Sequence, residues 1–148
     1  MKVLNLLLIS FLITTAGFAA NMDKSFLGSW SLNVAKSDFG PGAKPKMGVV
    51  NWTEHGWSFA MLLANDLLII DAVITDHGCS LIGDPADYAC EFTVVTPRHV
   101  TFRMKQGNTT RVVSDFELID NNTTKVTHRR TPQQGQPVTE QAVWERAQ

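Results

Sequence analysis

The chain has 148 residues, a formal net charge of −1, 44% hydrophobic and 18% charged residues, two cysteines and six prolines. The apolar fraction excludes a disordered chain, ten glycines and six prolines are too few for a fibrous repeat, and no basic excess is present to neutralise a phosphate backbone. The expectation is one globular domain that binds no nucleic acid.

The N-terminus reads as an export signal in three parts. Lys2 supplies a positive start, Val3 to Thr15 is almost unbroken aliphatic and aromatic sequence, and Ala16-Gly17-Phe18-Ala19-Ala20 closes it with small residues. Gly17 and Ala19 suit the two small-residue pockets of a signal peptidase, which predicts a signal peptide over 1–19 and a single domain over 20–148. The apolar run is shorter than the roughly 20 residues that cross a bilayer. The processed protein is therefore expected to have no stable membrane span and to be periplasmic or secreted. Cleavage removes Lys2 and no acid, leaving 12 basic and 14 acidic side chains on 129 residues. A chain of that length buries roughly two thirds of its unfolded surface, enough for one core.

Beyond the signal, short alternating runs are broken every eight to twelve residues by turn residues, the pattern of an antiparallel sandwich or barrel. The alternation predicts strands over Leu27 to Val34, Met47 to Glu54, Trp57 to Leu63, Leu67 to Thr75, Cys79 to Ile82, Ala89 to Val95, His99 to Lys105, Thr110 to Ile119, Thr123 to Thr131 and Val138 to Arg146. Between them lie Glu54-His55-Gly56, Ala64-Asn65-Asp66, Asp76-His77-Gly78, Gln106-Gly107-Asn108 and Asp120-Asn121-Asn122, whose residues tolerate positive φ or bond their own backbone. Connections this short join sequential antiparallel neighbours. Closing such a meander removes its two exposed edges, so the expected fold is all-β, an antiparallel up-and-down β-barrel of about 8–10 strands. The longer polar segments Ala35 to Lys46 and Pro132 to Pro137 are expected to be loops. The greasy stretch Met61 to Ile74 is read as a hairpin turning at Asn65-Asp66, although periodicity alone does not separate it from a short helix.

In an exported chain Cys79 and Cys90 are expected to form a disulfide around Ser80 to Ala89. A metal site normally takes four closely spaced ligands, and only His77 lies near Cys79, so no metal is expected.

Period two assigns faces. Trp57, Phe59 and Met61 share one face of their strand, Phe102 and Met104 share one with Val100, and Phe116 shares one with Val112, Ser114 and Leu118. In the ninth strand an inward Val126 carries His128 and Arg130 inward with it. Buried polar groups are costly unless paired. Either these two find partners, or they bind a ligand, or the register breaks there. The candidate ligand-binding residues are Trp57, Phe59, Met61, Phe102, Met104, Phe116, His128 and Arg130, with the aromatic stripe equally compatible with a filled core.

No nucleophile elbow, metalloprotease helix motif, paired-cysteine redox motif or phosphate-cradling glycine loop is present. Asp76-His77 with Asp84 and Asp87 is the best acid-base cluster by spacing, and it also has the composition of ordinary turns. No catalytic residue is assigned and no cofactor is expected.

The segment Phe26-Leu27-Gly28-Ser29-Trp30-Ser31-Leu32-Asn33-Val34-Ala35-Lys36-Ser37-Asp38-Phe39-Gly40-Pro41-Gly42, with Pro45-Lys46 after it, resembles the opening of a group of small exported bacterial lipocalin-like proteins. Gly83-Asp84-Pro85, Gln134-Gly135-Gln136-Pro137 and Ala142-Val143-Trp144-Glu145-Arg146 continue the likeness more loosely. Gly28-Ser29-Trp30 resembles the lipocalin Gly-x-Trp, which implies that Trp30 packs across the closed barrel end with a late arginine, Arg146 or Arg130, stacked on it. The cysteine pair and the greasy Met61 to Ile74 segment depart from the group's pattern. The resemblance implies a lipocalin-like barrel carrying a small apolar or amphipathic molecule. It leaves open a filled barrel acting through its outer surface as an envelope or interaction protein, and an enzyme of cyclase or isomerase type.

Overall fold

The computed structural model describes residues 21–41, 44–75, 78–82 and 88–148. The expected signal peptide over 1–19, the Asp76-His77-Asp84-Asp87 cluster and the Gly83-Asp84-Pro85 match therefore lie outside the described residues.

Ten strands form one closed antiparallel barrel: β1 (Gly28–Leu32), β2 (Pro45–Thr53), β3 (Gly56–Leu63), β4 (Asp66–Thr75), β5 (Gly78–Ile82), β6 (Tyr88–Thr96), β7 (His99–Gln106), β8 (Thr109–Leu118), β9 (Thr123–Arg130) and β10 (Val138–Arg146). Each strand pairs with the next in sequence, and β10 pairs with β1 to close the ring. The fold is the up-and-down barrel that the strand spacing predicted. The greasy stretch is the β3–β4 hairpin, with Ala64 in the left-handed region at the turn.

Two boundaries differ from expectation by two residues, the others by one at most. The first strand stops at Leu32, because Val34–Lys36 forms a 3-10 turn in which the Asn33 side chain caps the Lys36 amide at 3.1 Å. The second begins earlier, at Pro45, where a register shift before Met47 lets a residue without an amide proton enter the ladder.

The two ends of the barrel are built differently. At one end a 3-10 turn, Lys24–Phe26, crosses the opening ahead of β1. Its Phe26 is fully buried and accepts a 2.8 Å hydrogen bond from the Trp30 indole. Above them Trp52 is the hub of an aromatic floor, with ring centroids 5.2 Å from Phe116, 5.8 Å from Phe26, 6.0 Å from Phe92 and 6.1 Å from Trp57. Aromatic pairs at these separations in tilted and edge-on arrangements are the favoured ones, so this end is filled.

The other end is reached by the β1–β2, β3–β4, β7–β8 and β9–β10 connections. Asp38 forms an isolated bridge with Gln141, their amides and carbonyls exchanging two 2.7 Å hydrogen bonds. That bridge pins the β1–β2 connection over the rim and buries Phe39 there.

Between β5 and β6 the ladder records one pair among the described residues, Cys79 opposite Cys90, and these two cysteines form a disulfide with a Cα–Cα distance of 5.3 Å. It packs against the barrel core and staples the seam with the fewest recorded pairs among the described residues.

Candidate functional site

Above the Trp52 floor the barrel is hollow. A cavity of about 260 Å³ occupies the upper half. All eight residues singled out by alternation stand in its wall: Trp57, Phe59 and Met61 from β3, Phe102 and Met104 from β7, Phe116 from β8, and His128 and Arg130 from β9. On β3, β7, β8 and β9 the lining residues alternate along the strand, as the period-two argument requires.

The polar part of the wall comes from one cross-strand row. Phe102 lies opposite Ser114, Ser114 opposite His128, and His128 opposite Glu140, which steps the row across β7, β8, β9 and β10. The Ser114 hydroxyl is 2.8 Å from His128 Nδ1. Ser114 is buried, and His128 meets the Phe116 ring edge-on at 6.4 Å. Burial, reinforced by the positive charge of Arg130, lowers the His128 pKa from its usual 6.5 to about 4. The imidazole is therefore neutral at physiological pH. Arg130, at the rim, donates to Glu140, whose carboxylate is largely buried while the guanidinium is half exposed. The cost of carrying His128 and Arg130 inward is thus met by pairing: Ser114 for one, Glu140 for the other.

Sequence reasoning missed Glu140, Trp144, Phe39 and the site role of Ser114, all of which line the cavity. Glu140 was legible, since buried Ala142 and Trp144 set the inward phase of β10 and two residues back is Glu140. Phe39 had no such signal, because it reaches the cavity from a loop.

Two cavity-lining side chains carry unpaired donors. Trp57 and Trp144 are buried, and neither indole N–H has a hydrogen-bond partner among the described residues.

The other two described histidines are elsewhere. His55 is exposed in the β2–β3 turn. His99 is partly buried on the outer wall, with Nε2 3.4 Å from Asp115. Asp115 also accepts from Thr101 at 2.7 Å and pairs with Arg129. Burial acts to raise its carboxyl pKa, but the hydrogen bonds from Thr101 and Arg129 outweigh it and hold the value below the usual one. Among the described residues no group of three or more His, Cys, Asp or Glu is placed to hold a metal ion, and no helix is long and apolar enough to cross a membrane.

The run Leu67 to Ile70 divides between two surfaces. Leu68 and Ile70 line the cavity, while Leu67 and Ile69 are exposed outside. Outside, Met47, Leu62 and Leu67 lie abreast on β2, β3 and β4, and Val49, Ala60 and Ile69 form the next row.

The molecule is thus a closed antiparallel barrel, filled at one end and hollow at the other, with a mostly apolar cavity and one polar row. Set against protein-family models, curated proteins and solved structures, the chain matches none.

Proposed function

We propose that this is an exported lipocalin-like protein that binds a small apolar or amphipathic molecule inside the barrel. The observation that carries this reading is the cavity: apolar, open at one end of the barrel, with the Trp52 aromatic cluster at the other, and furnished with a few convergent polar groups, the usual composition of a small-molecule site. Binding rests on apolar burial, with His128 and Arg130 as polar anchors. The arrangement of Trp30 under Arg146 supports the lipocalin-like assignment, since it is what the Gly28-Ser29-Trp30 resemblance implies. The disulfide supports passage through an oxidising compartment.

Native mass spectrometry of the protein purified from its own exported fraction, with denaturing identification of anything released, tests the reading. A reproducible bound mass supports it. Val112, on the cavity wall between Met104 and Arg130, provides the control: Val112→Phe is expected to displace the ligand without unfolding the barrel. A bare protein, indifferent to apolar probes, counts against the reading.

A second reading, an envelope or surface interaction protein, is favoured by the Met47–Leu62–Leu67 and Val49–Ala60–Ile69 rows, in which Met47, Val49, Leu67 and Ile69 are exposed. Replacing Leu67 and Ile69 by serine is expected to abolish such an association and leave the cavity ligand in place. An enzyme of cyclase or isomerase type would act through His128 or Arg130 on a bound apolar substrate. In that case His128→Ala and Arg130→Ala abolish turnover, and variants that lose only affinity remove this reading.

A further inference from the structure

The outer wall of the barrel is divided. On β6 to β9 its rows are mostly polar: Glu91, Arg103, Val113 and Arg129 lie abreast in one, Thr93, Thr101, Asp115 and Thr127 in the next. On β2 to β4 the two rows nearest the open end are apolar throughout, with Met47 55%, Leu67 62% and Ile69 56% exposed. The row below them, Asn51, Ser58 and Asp71, is polar again and bounds the patch.

The patch continues over the lip of the barrel. Neighbouring residues of a strand face opposite sides, and an antiparallel sheet with one face in water normally carries polar residues on that face. The tip of the β3–β4 hairpin breaks this rule. Leu62 and Leu67 lie abreast on the outer wall, while Leu63 and Leu68 line the cavity, and Leu68 is itself exposed at the mouth. One apolar surface thus runs from the cavity, over the lip, to the outside.

Area, continuity and charge say what covers it. Four half-exposed side chains, Met47, Val49, Leu67 and Ile69, present on the order of 400 Å² of apolar surface, about half of the roughly 800 Å² that each partner of a stable protein interface buries. A second copy of the chain is therefore poorly served by this face. A lipid surface demands no matching shape, and its apolar phase would meet the cavity mouth directly. Two rows set two residues apart span about 7 Å, within the roughly 5–10 Å to which apolar faces sink at a bilayer interface. Lys44 and Lys46, both exposed, lead into Met47, and the register sets one acid, Asp66, beside them. Cations at the edge of an apolar face meet headgroup phosphates.

We propose that the outer face of β2–β4 docks the open end of the barrel on a phospholipid surface, with its apolar rows among the acyl chains and Lys44 and Lys46 on the headgroup phosphates. This rests on the surface reading above and names its partner.

The test is flotation of the disulfide-bonded protein, purified from its own exported fraction, with vesicles of phosphatidylcholine, with and without phosphatidylglycerol. The protein is expected to float with both and to bind a few-fold more tightly when phosphatidylglycerol is present. The double variant Leu67→Ser, Ile69→Ser should lose at least about tenfold in binding to either vesicle, because binding scales with buried apolar area. Lys44→Gln with Lys46→Gln should remove only the gain from phosphatidylglycerol, as should high salt. Val113→Ser, on the polar half of the wall, should change nothing. A protein that floats with neither vesicle, or a double serine variant that floats as well as the wild type, overturns the proposal. If the unbound protein instead self-associates in sedimentation, and the double variant does not, the face belongs to a second copy: the lipid proposal falls and the surface reading stands. A monomer indifferent to vesicles, whose behaviour the double variant leaves unchanged, counts against both. The wild-type protein on the two vesicles decides by itself if a variant does not fold.

Discussion

Trp30 and Arg146 face each other across the ladder that closes the barrel, with the guanidinium carbon 4.0 Å above the indole centroid. Arg146 also donates to the carbonyls of Leu27 at 2.6 Å and Asn121 at 3.1 Å, and to that of Ser25. One side chain thus ties the entering 3-10 turn, the β8–β9 turn and the closing seam together. A planar guanidinium stacks and donates from its edge at once, which an ammonium does not.

Arg146→Ala is therefore expected to lower stability by about 3 kcal/mol, or Tm by roughly 10 °C, because it unpairs three carbonyls and uncovers the indole. Arg146→Lys should recover less than half of that loss. Thermal unfolding followed by tryptophan fluorescence measures both, and full rescue by lysine would show that charge alone suffices.

Replacing Cys79 and Cys90 by serine should cost about 3 kcal/mol on a chain-entropy estimate for a loop of this length. The location of the damage is the sharper expectation. Since β5 and β6 record one cross-strand pair among the described residues, amide exchange should accelerate in these two strands first. A uniform acceleration around the ring would refute a weak seam.

His128 makes stability fall on acidification. Its folded pKa, about 4, lies below its usual 6.5, so below pH 6.5 the unfolded chain takes up a proton that the folded protein refuses. The loss grows as pH falls from 6.5 and levels off below about 4, reaching about 3 kcal/mol. In His128→Gln this slope should be absent, with other acid-sensitive groups unchanged. Urea unfolding of both proteins across the interval gives the difference directly, and parallel curves would place the imidazole in contact with water.

Gly56, at the β2–β3 turn, has φ +151°, and a Cβ there would lie 1.9 Å from the Ala72 carbonyl oxygen. Gly78 has φ +125° but open space beside it. Gly56→Ala should therefore cost at least about 3 kcal/mol and disturb the Trp52–Trp57 pairing next to the turn, whereas Gly78→Ala pays only the backbone strain, about 1 kcal/mol. Similar losses for the two would show that the β3–β4 pair yields easily at Ala72.

The strands, their order and the inward phase of β3, β7, β8 and β9 were determined by the sequence itself. A residue's face follows from its parity along an extended chain, and turns such as Glu54-His55-Gly56 announce themselves through local backbone chemistry, so both are local properties. That is why Trp57, Phe59, Met61, Phe102, Met104, Phe116, His128 and Arg130 could be read as candidate inward-facing residues, whereas Cys79 and Cys90 could be paired because they are the two cysteines of a chain read as exported. Only the tertiary structure decided what those residues meet. Ser114 finds His128 and Glu140 finds Arg130 through the register between strands, Phe39 arrives over the rim from a loop, and Arg146 rather than Arg130 covers Trp30 because closure puts β10 beside β1. Whether the barrel is hollow is likewise a sum over side chains from many strands at one height, and no stretch of sequence contains that sum. The lower half is filled because Trp52, Phe26, Phe92 and Phe116 converge at one level; the upper half is open because no equally bulky set does.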